Sequence, residues 1–185
     1  MIEVQGDFFG IASILPPHSA ICVTTNGCVK GNGEAVMGAG IAKAFAERWP
    51  NVPALLAKSL TRYGLHTKVF GEGDVGNRFT SQMVDLVSLP TKLGMTQMTE
   101  DLQCLVPNGK IIQNGSWVQG WMLSSPLDLV LRSCNELVEL ANEIDWEKVL
   151  LTRPGCGNGG LNWTEVRAWL LPIFDDRFVI VHNGK

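Results

Sequence analysis

Two glycine-rich stretches are the residues whose types and spacing point most directly to chemistry. The first, with Gly31, Gly33, Gly38 and Gly40, follows the β-prone run Ser19-Ala20-Ile21-Cys22-Val23-Thr24-Thr25 and leads into a helical pattern. The second, Pro154-Gly155-Cys156-Gly157-Asn158-Gly159-Gly160, follows the short apolar run Val149-Leu150-Leu151-Thr152 and leads into another. Glycine tolerates positive φ and lets the backbone come close to an oxyanion. A helix start presents free N–H groups that favour negative charge without any lysine. One such loop is weak evidence, because tight turns are also glycine-rich. Two in a short chain point to a diphosphate gripped from both sides; the plainer alternative is that the glycines serve turns only.

The elements that must position these loops follow from hydrophobic period. A helix is expected to begin near Gly40, run through Ala42, Ala44, Phe45 and Trp49, and stop at Pro50. A second covers residues 52–63 and ends at Gly64. Residues 68–70 and 79–89 read as strands separated by a turn-rich segment, residues 71–77. Helical spacing over residues 126–142 is carried by Leu127, Val130, Leu131, Cys134, Leu137, Val138 and Ala141. After the second loop a helix runs from Asn162 or Thr164 to Leu171, and residues 178–181 form a final strand. Strands alternating with helices imply an α/β domain over residues 1–185, with a mixed, largely parallel sheet covered on both faces. In such sheets ligands bind at the carboxyl ends of strands. Residues 93–122 break the pattern and read as an insertion near the ligand-bearing edge. Trp49, Trp163 and Trp169 are expected in the core.

Composition sets bounds on the partners. With 185 residues, 45% hydrophobic and 18% charged, the chain is globular and has room for one substantial core. There is no apolar run long enough to span a membrane, and the first residues lack the pattern of a secretion signal. Five scattered cysteines without a Cys-x-x-Cys pair indicate neither a disulfide framework nor a metal site, and fit a reducing cytoplasm. A net charge of −3 without a basic cluster argues against extended duplex nucleic acid but leaves small anions open. A dinucleotide-binding Rossmann unit fits poorly. Gly155-x-Gly157-x-x-Gly160 matches its pattern, but too few residues follow for its remaining strands.

Several segments resemble those of a known family. Gln5-Gly6-Asp7-Phe8-Phe9, Val23-Thr24-Thr25-Asn26 and Met37-Gly38-Ala39-Gly40-Ile41-Ala42 resemble the first half of a macrodomain. Leu89-Pro90-Thr91-Lys92 and Gly155-Cys156-Gly157-Asn158-Gly159-Gly160-Leu161-Asn162-Trp163 resemble blocks of one macrodomain branch. That branch includes the antitoxin partners of DNA ADP-ribosyltransferase toxins and the terminal ADP-ribose glycohydrolases. The segments occur in the family's order and leave out mainly residues 93–122. The resemblance implies a monomeric three-layer α/β/α domain that binds ADP-ribose without a cofactor.

It also implies roles for particular residues. Asp7 would accept a hydrogen bond from the adenine amino group, with Phe8 or Phe9 beside the ring; the alternative is a turn or helix-capping aspartate. Asn26 would contact the distal ribose, or serve as a turn former before Gly27. Gly38, Ala39, Gly40 and Ile41 would line the diphosphate and distal ribose. Gly155, Cys156, Gly157, Asn158, Gly159, Gly160 and Leu161 would close on the diphosphate from the other side. His182 and Asn183 either reach adenine or belong to a frayed end.

Catalysis is less clearly written. Cleaving the bond at the distal anomeric carbon passes through an oxocarbenium-like state. By the resemblance, hydrolytic members carry a lysine just after the helix phenylalanine and, in some, an acid in the second loop; the matching positions here are Ala46 and Gly159. Lys43 lies one turn earlier and is the weak substitute. Two readings follow. In one, Asn26 and the loop backbones position a water that removes ADP-ribose from a modified nucleic acid or protein, or phosphate from ADP-ribose 1″-phosphate. In the other, the protein only reads or sequesters ADP-ribose groups. A Cys156 nucleophile is a third idea, but none of His18, His66 and His182 is tied to it by a motif.

Overall fold

The computed structural model describes residues 1–76 and 80–184. Five strands run parallel in one sheet: β1 (Ile2–Gln5), β7 (Phe178–His182), β6 (Lys148–Thr152), β2 (Ser19–Gly27) and β4 (Met83–Gln97), in that spatial order. β3 (Lys68–Asp74) lies antiparallel against β4 at one edge, and β5 (Trp117–Gln119) pairs antiparallel with the far end of β4.

Both faces of the sheet are covered, because its strands are apolar on both sides. On one face Ile21, Val23, Leu86, Leu150 and Val179 pack against α1 (Phe8–Ala12), α2 (Gly40–Arg48) and α3 (Val52–Tyr63) through Phe8, Phe45 and Leu56. On the other, Cys22, Val87, Val149, Leu151 and Phe178 pack against α4 (Leu127–Ile144) and α5 (Trp163–Leu170) through Val130, Leu137 and Val166. The architecture is three-layer α/β/α, as the strand–helix alternation implies. No helix among the described residues is long and apolar enough to cross a membrane.

Three expectations are corrected. Residues 71–74 are strand rather than turn. Gly73 is there for packing: a Cβ on it would lie 2.8 Å from the Trp49 ring, so glycine lets the indole lie against the sheet. β4 begins at Met83 and runs to Gln97, beyond the expected end at residue 89; of the expected strand, Phe79 lies outside the described residues. Pro90 hides this continuity in the sequence, because it cannot donate to a ladder. Trp169 is 58% exposed rather than buried, since Val166 and Leu170 define the inward face of α5.

The chain between β4 and α4 is ordered around a small core of its own, in which Met98, Val106, Val118 and Leu123 are buried. It folds back along β4 through β5, and Gly120 crosses the backbone of Leu93 so closely that a Cβ there would collide with the Leu93 carbonyl. This crossing brings Trp121 and Met122 to the end of the sheet where the strands finish.

Candidate functional site

β6 and β2 are neighbours, with Ala20 opposite Val149 and Ile21 opposite Leu150. The chain leaving β2 passes to α2 on one face, and the chain leaving β6 passes to α5 on the other. Adjacent parallel strands whose connections part in this way open a crevice at their carboxyl ends. The structure has a cleft of about 1220 Å³ there. It follows the ends of all five parallel strands: Gly6 after β1, His182 and Asn183 at β7, Thr152 and Arg153 at β6, Thr25 and Asn26 in β2, Thr91 and Lys92 in β4. At about 4.8 Å between strands this is a trough of about 19 Å, suited to an elongated ligand.

The two glycine loops form opposite walls. Gly38, Ala39, Gly40, Ile41 and Ala42 line one side; Gly155, Cys156, Gly157, Asn158, Gly159 and Leu161 line the other. They come close to touching, with the Asn158 side-chain amide nitrogen 3.7 Å from where a Cβ on Gly40 would lie. No side chain caps the start of α2, whose N-cap is Ala39, so its first N–H groups are left for the cleft. Gly155 has φ of 72° and sits so close to Leu161 and Val130 that a Cβ would approach them to 2.7 and 2.9 Å. Only glycine makes that turn.

The other expected site residues divide between the cleft and its surroundings. Asn26 lines the cleft, but its amide holds the first loop: Nδ2 donates to the Val36 carbonyl (3.0 Å) and Oδ1 accepts from Cys28 N–H (2.9 Å). Asp7 caps α1, accepting from Gly10 N–H at 2.6 Å, between two residues that do line the cleft, Gly6 and Phe8. Phe9 packs on the core side against Phe45 and Trp49. Gly160 turns away and is not in the wall. Lys43 is exposed on α2, paired with Glu47 at 3.6 Å, and does not line the cleft. The Cys156 thiol is pushed up to about 11 by burial, against a smaller opposing effect of the Arg153 charge, so it stays protonated near neutrality. Among the described residues no group of three His, Cys, Asp or Glu could hold a metal ion.

The cleft also holds side chains given no role from the sequence. Lys92 enters from β4, and its ammonium donates to the Trp121 carbonyl at 3.1 Å. Burial holds its pKa below the usual lysine range. It sits beside Thr91, one strand over from Thr25 and Asn26, because Pro90 pairs with Thr25 across the β2–β4 ladder. Pro107, Trp121 and Met122 from the β4–α4 connection complete that end. At the other end are Arg153 and Trp163, both tied to Glu3 of β1; Trp163, expected in the core, is instead half-buried in the cleft wall. Trp163 Nε1 donates to Glu3 Oε2 at 3.0 Å, Arg153 lies 3.9 Å from the same oxygen, and Arg167 binds Oε1.

Burial pushes the Glu3 carboxyl up, but its bonds to Arg167 and Trp163 and the charges of Arg167 and Arg153 outweigh this and leave it below its ordinary value. A depressed carboxylate stabilises the fold above its unfolded pKa and ceases to do so as pH falls through the folded one. Glu3→Gln should therefore lower the melting temperature at pH 7, with the gap from wild type closing as pH falls through the acidic range. Equal gaps at pH 7 and pH 3 would show that the carboxylate's charge contributes nothing.

No protein-family model matches the chain, and no curated protein matches it. Solved structures do. The macrodomain of Mycobacterium tuberculosis DarG superposes with a TM-score of 0.62 at 20% identity, over 97% of this chain and 95% of that one. The macrodomain of Thermus aquaticus DarG gives 0.59 at 21%, over 98% and 96%. Thermosipho africanus DarTG in complex with ADP-ribose gives 0.65 at 16%, over 97% of this chain and 41% of that longer one. The fold is thus that of a macrodomain, the class the sequence segments resemble. At such identities the likeness concerns the fold alone.

Proposed function

We propose that the cleft binds ADP-ribose and that the protein hydrolyses an ADP-ribosyl linkage. Adenosine lies at the β1–β7 end, the diphosphate between the two loops above β6 and β2, and the distal ribose toward Asn26 and Lys92. The observation that carries this reading is the meeting of two glycine loops from neighbouring strands across one trough, with an uncapped helix start on one wall. Main-chain N–H groups there add to the charges of Lys92 and Arg153 a local positive field, although the chain as a whole has a net charge of −3. The fold likeness to a DarTG structure that holds ADP-ribose supports the ligand class. Asp7, at the rim, offers its carboxylate to the adenine amino group while capping α1.

For the reaction, positive charge develops at the distal anomeric carbon and the ligand's own diphosphate partly offsets it. A desolvated amine suits this place. Burial disfavours the charged form of Lys92, so its amine can take a proton from the attacking water and pass it to the departing acceptor as the bond to the anomeric carbon breaks. Asn26 keeps the first loop in shape beside the ribose. The bond broken joins ADP-ribose to a nucleic acid or protein acceptor, or to the phosphate of ADP-ribose 1″-phosphate. All five cysteines are free, which fits a reducing cytoplasm.

One observation favours a reader without turnover. Gly159 brings no acid to the second loop, and a side chain there would collide with the buried Ser125 hydroxyl. Calorimetry with ADP-ribose should give a Kd of roughly micromolar order, about −8 kcal/mol. Incubation with ADP-ribosylated nucleic acid, ADP-ribosylated protein and ADP-ribose 1″-phosphate should release ADP-ribose from at least one. No binding would end the whole reading; binding with every substrate left intact would leave the reader.

A further inference from the structure

We propose that the exposed face of the β4–β5 ribbon is a docking surface for a polypeptide acceptor, so that the ADP-ribosyl group handled in the cleft is one carried by a protein with apolar side chains beside the modified residue. This rests on the ADP-ribose reading above. Along β5, Val118 faces the small core of the β4–α4 connection, so the alternation of a strand turns Trp117 and Gln119 the other way. Their cross-strand partners on β4, Gln97 and Met95, share that face. Trp117 is 68% exposed and Met95 56%, and Trp121 and Met122 add two more exposed apolar side chains. Apolar surface gathered in this way marks an interaction site, and tryptophan and methionine are residues that interfaces favour.

The face begins where the cleft ends. Trp121 and Met122 line the cleft at the end assigned to the distal ribose, and the Trp121 indole N–H donates to the Gln119 side-chain carbonyl on the ribbon. A second, smaller depression of about 360 Å³ lies against the ribbon, lined by Val29, Met95 and Gln119 and sharing Val36 with the cleft. An acceptor joined to the distal anomeric carbon leaves the cleft at this end and so runs onto the ribbon. Charge separates the two kinds of macromolecule that could do so. A nucleic acid strand needs a cationic groove for its phosphates. Residues 93–122 carry Lys110 against Glu100 and Asp101, and Lys30, which also lines the depression, is paired with Glu34 at 3.2 Å. The face itself, Met95, Gln97, Trp117 and Gln119, is uncharged. A polypeptide with apolar side chains matches it; a polyphosphate does not.

Peptides with a single ADP-ribosylated serine, flanked either by leucine and phenylalanine or by glycine and serine, separate the contributions. The apolar-flanked peptide should bind wild type at least about 10-fold more tightly than free ADP-ribose does, and the glycine–serine peptide about as tightly as free ADP-ribose. Met95→Gln together with Trp117→Gln, both outside the cleft, should remove the gain and leave the Kd for free ADP-ribose unchanged. Equal affinity of the two peptides for wild type would overturn the proposal, as would a gain that survives in the double variant; neither result touches the ADP-ribose reading. A single-stranded oligonucleotide with one ADP-ribosylated base that binds more tightly than the apolar-flanked peptide, and loses that advantage in the double variant, would give the face to nucleic acid instead. Failure of wild type to bind free ADP-ribose would remove the ligand class, and the docking surface with it.

Discussion

Lys92→Met should abolish release of ADP-ribose while leaving its binding intact. Methionine keeps the apolar stem and deletes only the amine, so the buried part of the side chain still fills its place. The Trp121 carbonyl loses a donor, but Trp121 is exposed and water can replace it. General acid–base groups contribute about 10²–10⁴ in rate, so turnover should fall by that order with Kd for ADP-ribose within about threefold. The pH profile carries the sign of the effect. If the neutral amine is the working form, wild-type kcat/KM rises with pH until Lys92 is deprotonated and then levels, and burial brings that limb below the ordinary lysine range. The limb should vanish in Lys92→Met. A variant that keeps wild-type turnover would take Lys92 out of the chemistry; one that loses binding in parallel would make it a ligand anchor instead.

Gly38→Val should be the cleanest loss of binding the fold allows. A Cβ at Gly38 meets nothing within 4 Å, so the unliganded protein has room for it and the melting temperature should stay within a few degrees of wild type. Gly38 lines the cleft, and in the function proposed above the diphosphate takes that empty space, so the ligand and the new side chain would compete for it. A drop in affinity of at least about 100-fold is expected, the equivalent of excluding close backbone contact altogether. Gly155→Ala makes the contrast. Its φ of 72° costs a non-glycine residue about 1–2 kcal/mol, and contact with Leu161 and Val130 adds roughly 1–3 kcal/mol of overpacking. That variant should lose stability and binding together. Normal ADP-ribose affinity in a folded Gly38→Val protein would place the ligand elsewhere.

The strands and loops that make the trough were legible because their signals are local: β-prone runs, then glycines, then helical period. What sequence reading could not supply was the pairing of distant strands. Lys92 stands in a segment singled out by resemblance, yet its entry into the cleft depends on β4 lying beside β2, a contact between residues over sixty positions apart. Lys43, nearer in sequence to the first loop, was the weaker substitute and turns outward to Glu47. Arg153 and Trp163 flank the second loop, but their partner is Glu3 on the first strand. Gly71 and Gly73 read as turn because glycine's commonest use is turning; here Gly73 instead makes way for Trp49.

The convergence of both loops on one ligand is tested most directly by following backbone amide signals of an isotope-labelled sample as ADP-ribose is added. The signals of Gly38–Ala42 and of Gly155–Leu161 should move together and saturate with a single dissociation constant, while amides at the opposite, amino-terminal ends of the strands stay still. Movement of one loop without the other, or separate saturation of the two, would contradict the shared grip.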